Sequence, residues 1–442
     1  MFFIKFITLV FIGNNFYFNS VEIVTLTYNL RFAGFEEEWN SYFLEDVIKS
    51  FVNGQTPSRN VDSYWNGEIP WVSSGELNYN HITSTIEQIT EEGKGKANLK
   101  LLPAGTFLMA ITGLEAAGTR GSCAILDIEA TTNQSCMALF PKEDKLTTKF
   151  LYYWYLKVGE HYGIKYTQGT KQQSYNKELL EKLPIVIPDN LKEQDKITDC
   201  LSLLHFKIEL LEKKYKSYVD FKKYLMQQIF AQKLRFNFTD EWKKSKLKEI
   251  CNVQDGTHTT PNYVDEGIPF YSVENLTSNV PPKFISKEEH EKLIKRCKPK
   301  FGDILITRIG TLAKSKVIDW EEEFSIYVSL ALLSSIKINA RFLNYYIQTD
   351  KYQKDFLKKS LLLAVPQKIN LKDLNETIVE YPSSKEQEKI VNVFDSIDTK
   401  IAHINIELNN TKNFKRGLLQ QMFNNVRLVV INLIINEYIC PL

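Results

Sequence analysis

Disulfide and metal chemistry are what this sequence most plainly lacks. Its six cysteines, Cys123, Cys136, Cys200, Cys251, Cys297 and Cys440, form no Cys-x-x-Cys pair and no Cys/His cluster. In a chain of 442 residues that pattern points to reduced, mostly buried thiols in the cytoplasm and to no bound metal. The apolar run Phe6 to Ile12 falls short of the roughly 20 residues of a membrane span. Gly13-Asn14-Asn15 after it offers no small-x-small cleavage pattern, so residues 1–25 read as a foreign extension, with a start near Val24 or Leu26, rather than an export signal.

Catalytic signatures are missing as well. Gly113 to Arg120 has the glycine spacing of a phosphate loop without the Gly-Lys-Ser/Thr ending that contacts phosphate and magnesium. Val280-Pro281-Pro282-Lys283 lacks the leading Asn/Asp and closing aromatic that would hold a flipped adenine. Asp189 with Glu212 and Lys214 mimics a nuclease carboxylate set, but the last two lie on a heptad helix and read as solvated charge. No glycine-rich dinucleotide fingerprint is present, and the net charge of +2 neither demands nor forbids nucleic acid. The chain reads as non-catalytic, with no cofactor and no metal of its own.

What is present is a duplication. Lys192-Glu193-Gln194-Asp195-Lys196-Ile197 returns 193 positions later as Lys385-Glu386-Gln387-Glu388-Lys389-Ile390, and the copies run without a gap to Phe230 and Phe423, about a third of the pairs being identical. A constant offset of this length marks a repeated structural unit. Further anchors repeat with variable spacing: Arg31 to Trp39 with Arg235 to Trp242, Gly54 to Pro57 with Gly256 to Pro261, Ile69 to Ser73 with Ile268 to Ser272, and Gly105 to Gly113 with Gly302 to Gly310. Two units in one chain fit a partner that is itself two-fold, of which duplex DNA is the commonest.

Between the anchors, short runs of Val, Ile, Phe and Tyr bounded by Gly, Pro, Asn and Ser predict strands. Residues 26–190 and 236–383 are expected to be two mixed α/β domains, with short helices near Thr148 to Leu156 and Arg341 to Tyr352. Residues 191–235 and 384–423 carry sustained heptads instead. Their seams include Ile197, Leu201, Leu204, Ile208 and Leu211 in one copy and Ile390, Phe394, Ile397, Ile401 and Ile404 in the other, with Lys222 and Lys415 at one shared seam position. The expected fold class is α+β: two mixed domains held apart by two long antiparallel coiled-coil helices, with a pseudo-two-fold internal repeat.

Base edges are read by Arg, Lys, Asn, Gln, Ser and Thr presented from loops on a rigid frame. In the first repeat Gln55, Thr56, Ser58, Ser73, Ser74, Thr112, Arg120, Lys171, Gln172, Gln173 and Ser174 have this character and position. Thr257, His258, Thr259, Ser272, Asn275, Thr307, Arg308, Lys314, Gln367 and Lys368 match them in the second. For any one of these a turn or solvent contact is an equal reading; as a group they mark the candidate DNA surface.

The ordered and duplicated boxes over roughly residues 30–423 resemble the specificity subunit of type I restriction-modification systems. Their carriers are the Arg-Phe…Trp openings, the Gly256-Thr257-His258-Thr259-Thr260-Pro261 and Gly302 to Gly310 stretches, and the paired Lys-Glu-Gln…Gln-Gln-x-Phe helices. The resemblance implies two target-recognition domains that each read half of a split DNA sequence, and helices that fix the unread gap. It also implies two docked methyltransferase subunits and a translocating restriction subunit, with S-adenosylmethionine, ATP and Mg on those partners. The apolar tail 424–442 departs from the family pattern and is expected, like residues 1–25, to be foreign to it. Two alternatives stand beside this: a specificity subunit of a two-subunit restriction enzyme, and a coiled-coil scaffold that binds only proteins.

Overall fold

The structure is a computed structural model that describes residues 31–114, 119–167, 173–278 and 280–423; the flanks 1–25 and 424–442 lie outside the described residues. No helix among the described residues is long and apolar enough to cross a membrane. The chain forms two compact units that cut across the long helices. One holds the residues up to Ile208 and those from Asn410 onward, the other Glu209–Asn409.

The first unit is built on a five-stranded sheet in the order Ile48–Asn53, Cys136–Pro141, Phe107–Ala110, Cys123–Leu126, Asn80–Ile82, antiparallel except for the last pair. Its middle strands read as continuous apolar runs because both faces are covered: every residue of Phe107–Ala110 and Cys123–Leu126 is buried. A three-stranded sheet, Glu87–Ile89, Trp65–Val72 and Thr131–Thr132, lies beside it in sequence and closes its own small core around Trp71 and Ile89. The second unit repeats the order with Asn252–Asp255, Leu330–Ser334, Ile304–Thr307 and Ser315–Val317, and adds a second four-stranded sheet that includes Ile268–Tyr271. In each unit the first and last strands pair antiparallel and tie off the domain, Asn40–Phe43 with Pro184–Ile187 and Lys243–Lys246 with Ile378–Tyr381.

The domain helices differ from expectation in length. Thr147 caps a helix that runs Thr148–Lys165, well past Leu156, because no capping residue interrupts it. In the second unit Asn339 caps Ala340–Ile347, and the Thr349 hydroxyl then accepts from Tyr352 N and starts a separate helix, Asp350–Lys358.

The long helices run Leu191–Phe230 and Ser384–Met422, 40 and 39 residues, each roughly 60 Å at 1.5 Å per residue. Ile197, Leu201, Ile208, Leu211, Ile390, Phe394, Ile397 and Ile404 are buried, and Leu204 and Ile401 half-buried. In the first unit Ile197 and Leu201 share a core with Leu418 and Met422. In the second, Lys222 Nζ donates to Asp398 at 2.6 Å, and Phe230 stacks on Phe394 with centroids 5.9 Å apart. Later residues of one helix thus meet earlier residues of the other, which is antiparallel pairing.

The repeated Lys-Glu-Gln boxes have one job in both units. Arg31 donates to Glu193 through Nε at 2.6 Å and Nη2 at 2.8 Å, and Trp39 Nε1 donates to the same carboxylate at 3.2 Å. Arg235 grips Glu386 the same way at 3.1 and 2.7 Å. Both glutamates are 1% exposed. The following glutamines accept from the domain-helix caps, Gln194 from Thr147 N and Gln387 from Asn339 N, each at 2.9 Å. The phenylalanines that end the boxes pack on the opening tryptophans, Phe423 on Trp39 and Phe230 on Trp242, with centroids 6.2 and 6.3 Å apart.

Removing the arginine from such a pair strands a buried carboxylate. Arg235→Ala is therefore expected to destabilise the second unit by about 2–4 kcal/mol, the range for a broken buried pair discounted for the partly exposed guanidinium. The midpoint of urea unfolding measures this, with Lys295→Ala, an exposed cation of the same unit, as the near-neutral control.

Candidate nucleic-acid interface

The polar loops of the second unit are mounted on one buried ion cluster. Asp255 ends the strand Asn252–Asp255 and is 3% exposed. Its carboxylate accepts from Arg308 Nη1 at 3.1 Å and from Arg296 Nη2, and lies 2.9 Å from His258 Nε2. Arg308 follows the buried strand Ile304–Thr307; its Nε donates to Ile369 O at 3.2 Å and its Nη1 also to Val328 O at 3.1 Å. Burial lowers the Arg308 pKa while Asp255 opposes the shift. Arginine titrates so far above neutrality that the guanidinium stays charged.

Three loops radiate from this cluster. Thr257 N donates to Ile326 O at 3.0 Å and fixes the loop Thr257 to Thr259; the Thr257 hydroxyl closes a local turn on Thr259 at 3.2 Å. Gly256 precedes it where a Cβ would lie 2.0 Å from Ile326 O, so no side chain fits. Gly54 holds the matching place in the first unit, 2.1 Å from Thr132 O by the same measure, which explains the glycine of the repeated Gly-Thr/Pro box. The second loop, Arg308 to Gly310, is joined to the third by Gly310 N donating to Gln367 O at 2.8 Å and by a bridge between Ile309 and Lys368.

This geometry sorts the sequence-derived candidates. His258, Thr259, Lys314 and Gln367 are exposed, and Thr257 and Lys368 half-buried, on or beside these loops. Thr307 and Arg308 are corrected: both are buried, the Thr307 hydroxyl accepts Lys314 N at 2.9 Å, and the Arg308 guanidinium is held by Asp255 and two carbonyls. Asn275 is corrected to a loop clamp: its Oδ1 accepts from Ser272 N at 2.6 Å and its Nδ2 donates to Val280 O and Pro281 O. Ser272 and its counterpart Ser73 hold capping boxes, with Asn275 and Glu76 respectively.

In the first unit Gln55 and Ser58 are exposed and Thr56 and Ser74 half-buried, with the Thr56 hydroxyl bonded to Gln134. Thr112 is bridged to Ser174, and Leu114 N donates to Gln173 O at 3.2 Å, so the loop after Phe107–Ala110 meets the 173–174 segment as its counterpart does. Arg120 is half-buried, its carbonyl accepting the Tyr79 hydroxyl at 2.7 Å. Lys171 and Gln172 lie outside the described residues.

Two arginines escaped the sequence reading. Arg296, 59% exposed, sits on Asp255 beside His258. Arg59 lies 3.7 Å over the Trp65 ring and pairs with Glu87 in a cavity of about 540 Å³. Its place directly after the Thr56-Pro57-Ser58 loop was the available signal. Among the described residues no group of three or more His, Cys, Asp or Glu side chains could hold a metal ion. Burial pushes the Cys251 and Cys297 thiols up to about 12, which leaves them unreactive.

Because Arg308 is structural, Arg308→Ala is expected to destabilise the second unit by about 3 kcal/mol, whereas Thr259→Ala should stay within about 0.5 kcal/mol. Thermal unfolding of the two variants separates the frame from the surface it carries.

Comparison with known proteins follows the same division. The family model described as "Type I restriction modification DNA specificity domain" matches residues 36–217 and 239–411, one match per repeat. The MjaIX specificity subunit of Methanocaldococcus jannaschii is 26% identical over 264 residues, covering 55% of this chain and 59% of that protein. The EcoR124I/EcoR124II specificity subunit of Escherichia coli is 29% identical over 206 residues, 43% of this chain and 49% of the relative. The chain thus spans about half the length of these curated relatives. The solved S subunit from M. genitalium superposes with a TM-score of 0.61 at 18% identity, over 88% of this chain and 97% of that one. A chain solved in work on complex assembly and conformational transition of the type I R-M system gives 0.54 at 18% identity, over 88% and 98%. These two likenesses concern the fold alone. With the family model matched once in each repeat and over most of its length, the chain belongs to the type I restriction modification DNA specificity domain family.

Proposed function

We propose that this chain is the non-catalytic DNA-reading subunit of a cytoplasmic type I restriction-modification complex, with one unit reading each half of a bipartite target. The observation that carries this reading is the repeated mounting of polar loops at matching places: after Gly54 and Gly256, and at the bridges Thr112 to Ser174 and Ile309 to Lys368. Two similar but non-identical loop sets on one repeated frame suit two different half-sites.

In this reading the long helices set the unread gap and dock two methyltransferase subunits. Large apolar side chains on their outer surfaces support docking: Leu203, Phe206, Phe221 and Tyr224 on the first, Ile406 and Phe414 on the second, all about half exposed or more. S-adenosylmethionine belongs to the methyltransferase subunits, and ATP and Mg to a restriction subunit that joins them.

Assembled with methyltransferase subunits, the chain is expected to bind duplex DNA with an affinity that falls as salt rises, since phosphate contacts release counterions. It should direct adenine methylation to one split sequence. Salt-independent or absent DNA binding in that assembly overturns the proposal in favour of a protein-only scaffold.

A spacer test uses matched heptad deletions placed away from the domain cores, Glu209 to Tyr215 and Ala402 to Leu408. Each keeps the apolar seam in register and shortens a helix by about 10 Å, close to three base pairs at 3.4 Å each. The methylation map should keep both half-sites and narrow the gap. Unchanged gap length would leave the helices as docking surfaces only.

A further inference from the structure

The third loop of the second unit ends in a feature that folding does not explain. Residues 361–366 read Leu-Leu-Leu-Ala-Val-Pro, a composition that belongs inside a core. Here it forms the tip of a tight turn. Leu363 is 100% and Val365 99% exposed, and Leu361 and Leu362 are nearly half exposed. Turn tips are ordinarily polar, and an exposed run of four or more apolar residues is a fault unless it serves a function.

The tip is held firmly. Leu361 N donates to Lys368 O at 2.7 Å, and Lys368 N returns a bond to Leu361 O at 3.4 Å. Lys368 is bridged to Ile309, and Ile369 N donates to Arg308 O at 2.9 Å. The turn is therefore mounted on the same Arg308–Asp255 cluster as the polar loops. At its base Phe356 is fully buried, and the Ser360 hydroxyl donates to Phe356 O at 2.8 Å. Cations flank it: Lys358, exposed, and Lys368, half-buried, while Lys359 is paired with Asp355 one turn before it.

A convex tip of two fully exposed side chains is too small for a stable protein interface, which takes roughly 800 Å² from each partner. An apolar point between cations suits duplex DNA instead. The cations meet phosphates, and Leu, Ile, Met, Phe or Pro side chains elsewhere act as wedges that unstack a base step. We infer that Leu363 and Val365 form a wedge that enters the duplex and unstacks one base step in the half-site of the second unit. This rests on the DNA-reading proposal above. The matching segment of the first repeat reads Gln168-Gly169-Thr170-Lys171-Gln172-Gln173, with no apolar residue, so the unstacked step belongs to one half-site only.

The test uses the full chain assembled with methyltransferase subunits. The probes are target duplexes, defined by the methylation map, with a single 2-aminopurine moved through both half-sites. With the native chain, one position other than the methylated adenines should brighten several-fold, in one half-site only. Leu363→Ser/Val365→Ser should abolish that signal and weaken binding to intact target on the order of tenfold. An abasic site at the same step should restore its affinity, and Leu363→Met/Val365→Ile should keep the signal. Target binding with no such bright position, or a signal that persists in the double serine variant, overturns the wedge and leaves DNA reading intact. A double serine variant that no longer retains the methyltransferase subunit assigns the tip to a protein contact, which also overturns it. An assembly that binds no DNA removes both proposals together.

Discussion

The structure depends on a carboxylate that the fold takes out of water. Glu193 and Glu386 each open a long helix and are each almost wholly buried, a position no carboxylate holds without a partner. The partner comes from the opposite end of the domain: Arg31 is 162 positions before Glu193, and Arg235 is 151 before Glu386. Each ion pair therefore closes a loop as long as the domain itself, and the two-stranded pairing of first and last strands reinforces it. The neighbouring glutamine adds orientation by holding the cap of the domain helix. Helix direction and domain position are thus set by two adjacent side chains.

On that frame the reading surface is separated from its support. Asp255 and Arg308 satisfy one another inside the second unit, and the exposed His258, Arg296 and Thr259 lie outside them or on the adjoining loop. A buried ion pair that is also bonded to the backbone is rigid, and rigidity lets short loops present donors and acceptors at fixed spacing. Loop length and composition can change without disturbing it, which matches the slipping spacing between the repeated anchors.

Much of this was legible in the sequence because it is local or repeated. The 193-residue offset and the heptad seams exposed both long helices, and the Gly54 and Gly256 boxes marked the loop mounts. Residue roles set by distant partners were not legible. Arg308 lies after a strand and before Ile309-Gly310, just where a base-reading arginine would lie; only Asp255, 53 positions away, shows that it is buried. Asn275 has the right chemistry for adenine but spends it on Val280 and Pro281. The run Leu361 to Val365 reads as core in any window, and its exposure emerges only once the bridge to Lys368 bends it outward.

The seam lysines carry a last consequence. Lys222 meets Asp398, while its repeat counterpart Lys415 lies 3.1 Å from His205, which stands at the position equivalent to Asp398. Two free copies of the second half would form the lysine–aspartate pair twice, whereas the joined chain forms it once. That pair by itself therefore gives the two halves no preference for each other over themselves. The peptide chain adds a preference that this pair does not, since it raises the effective concentration of the second half around the first to about the millimolar range. A chain severed between the repeats would surrender that advantage and leave partner choice to mass action.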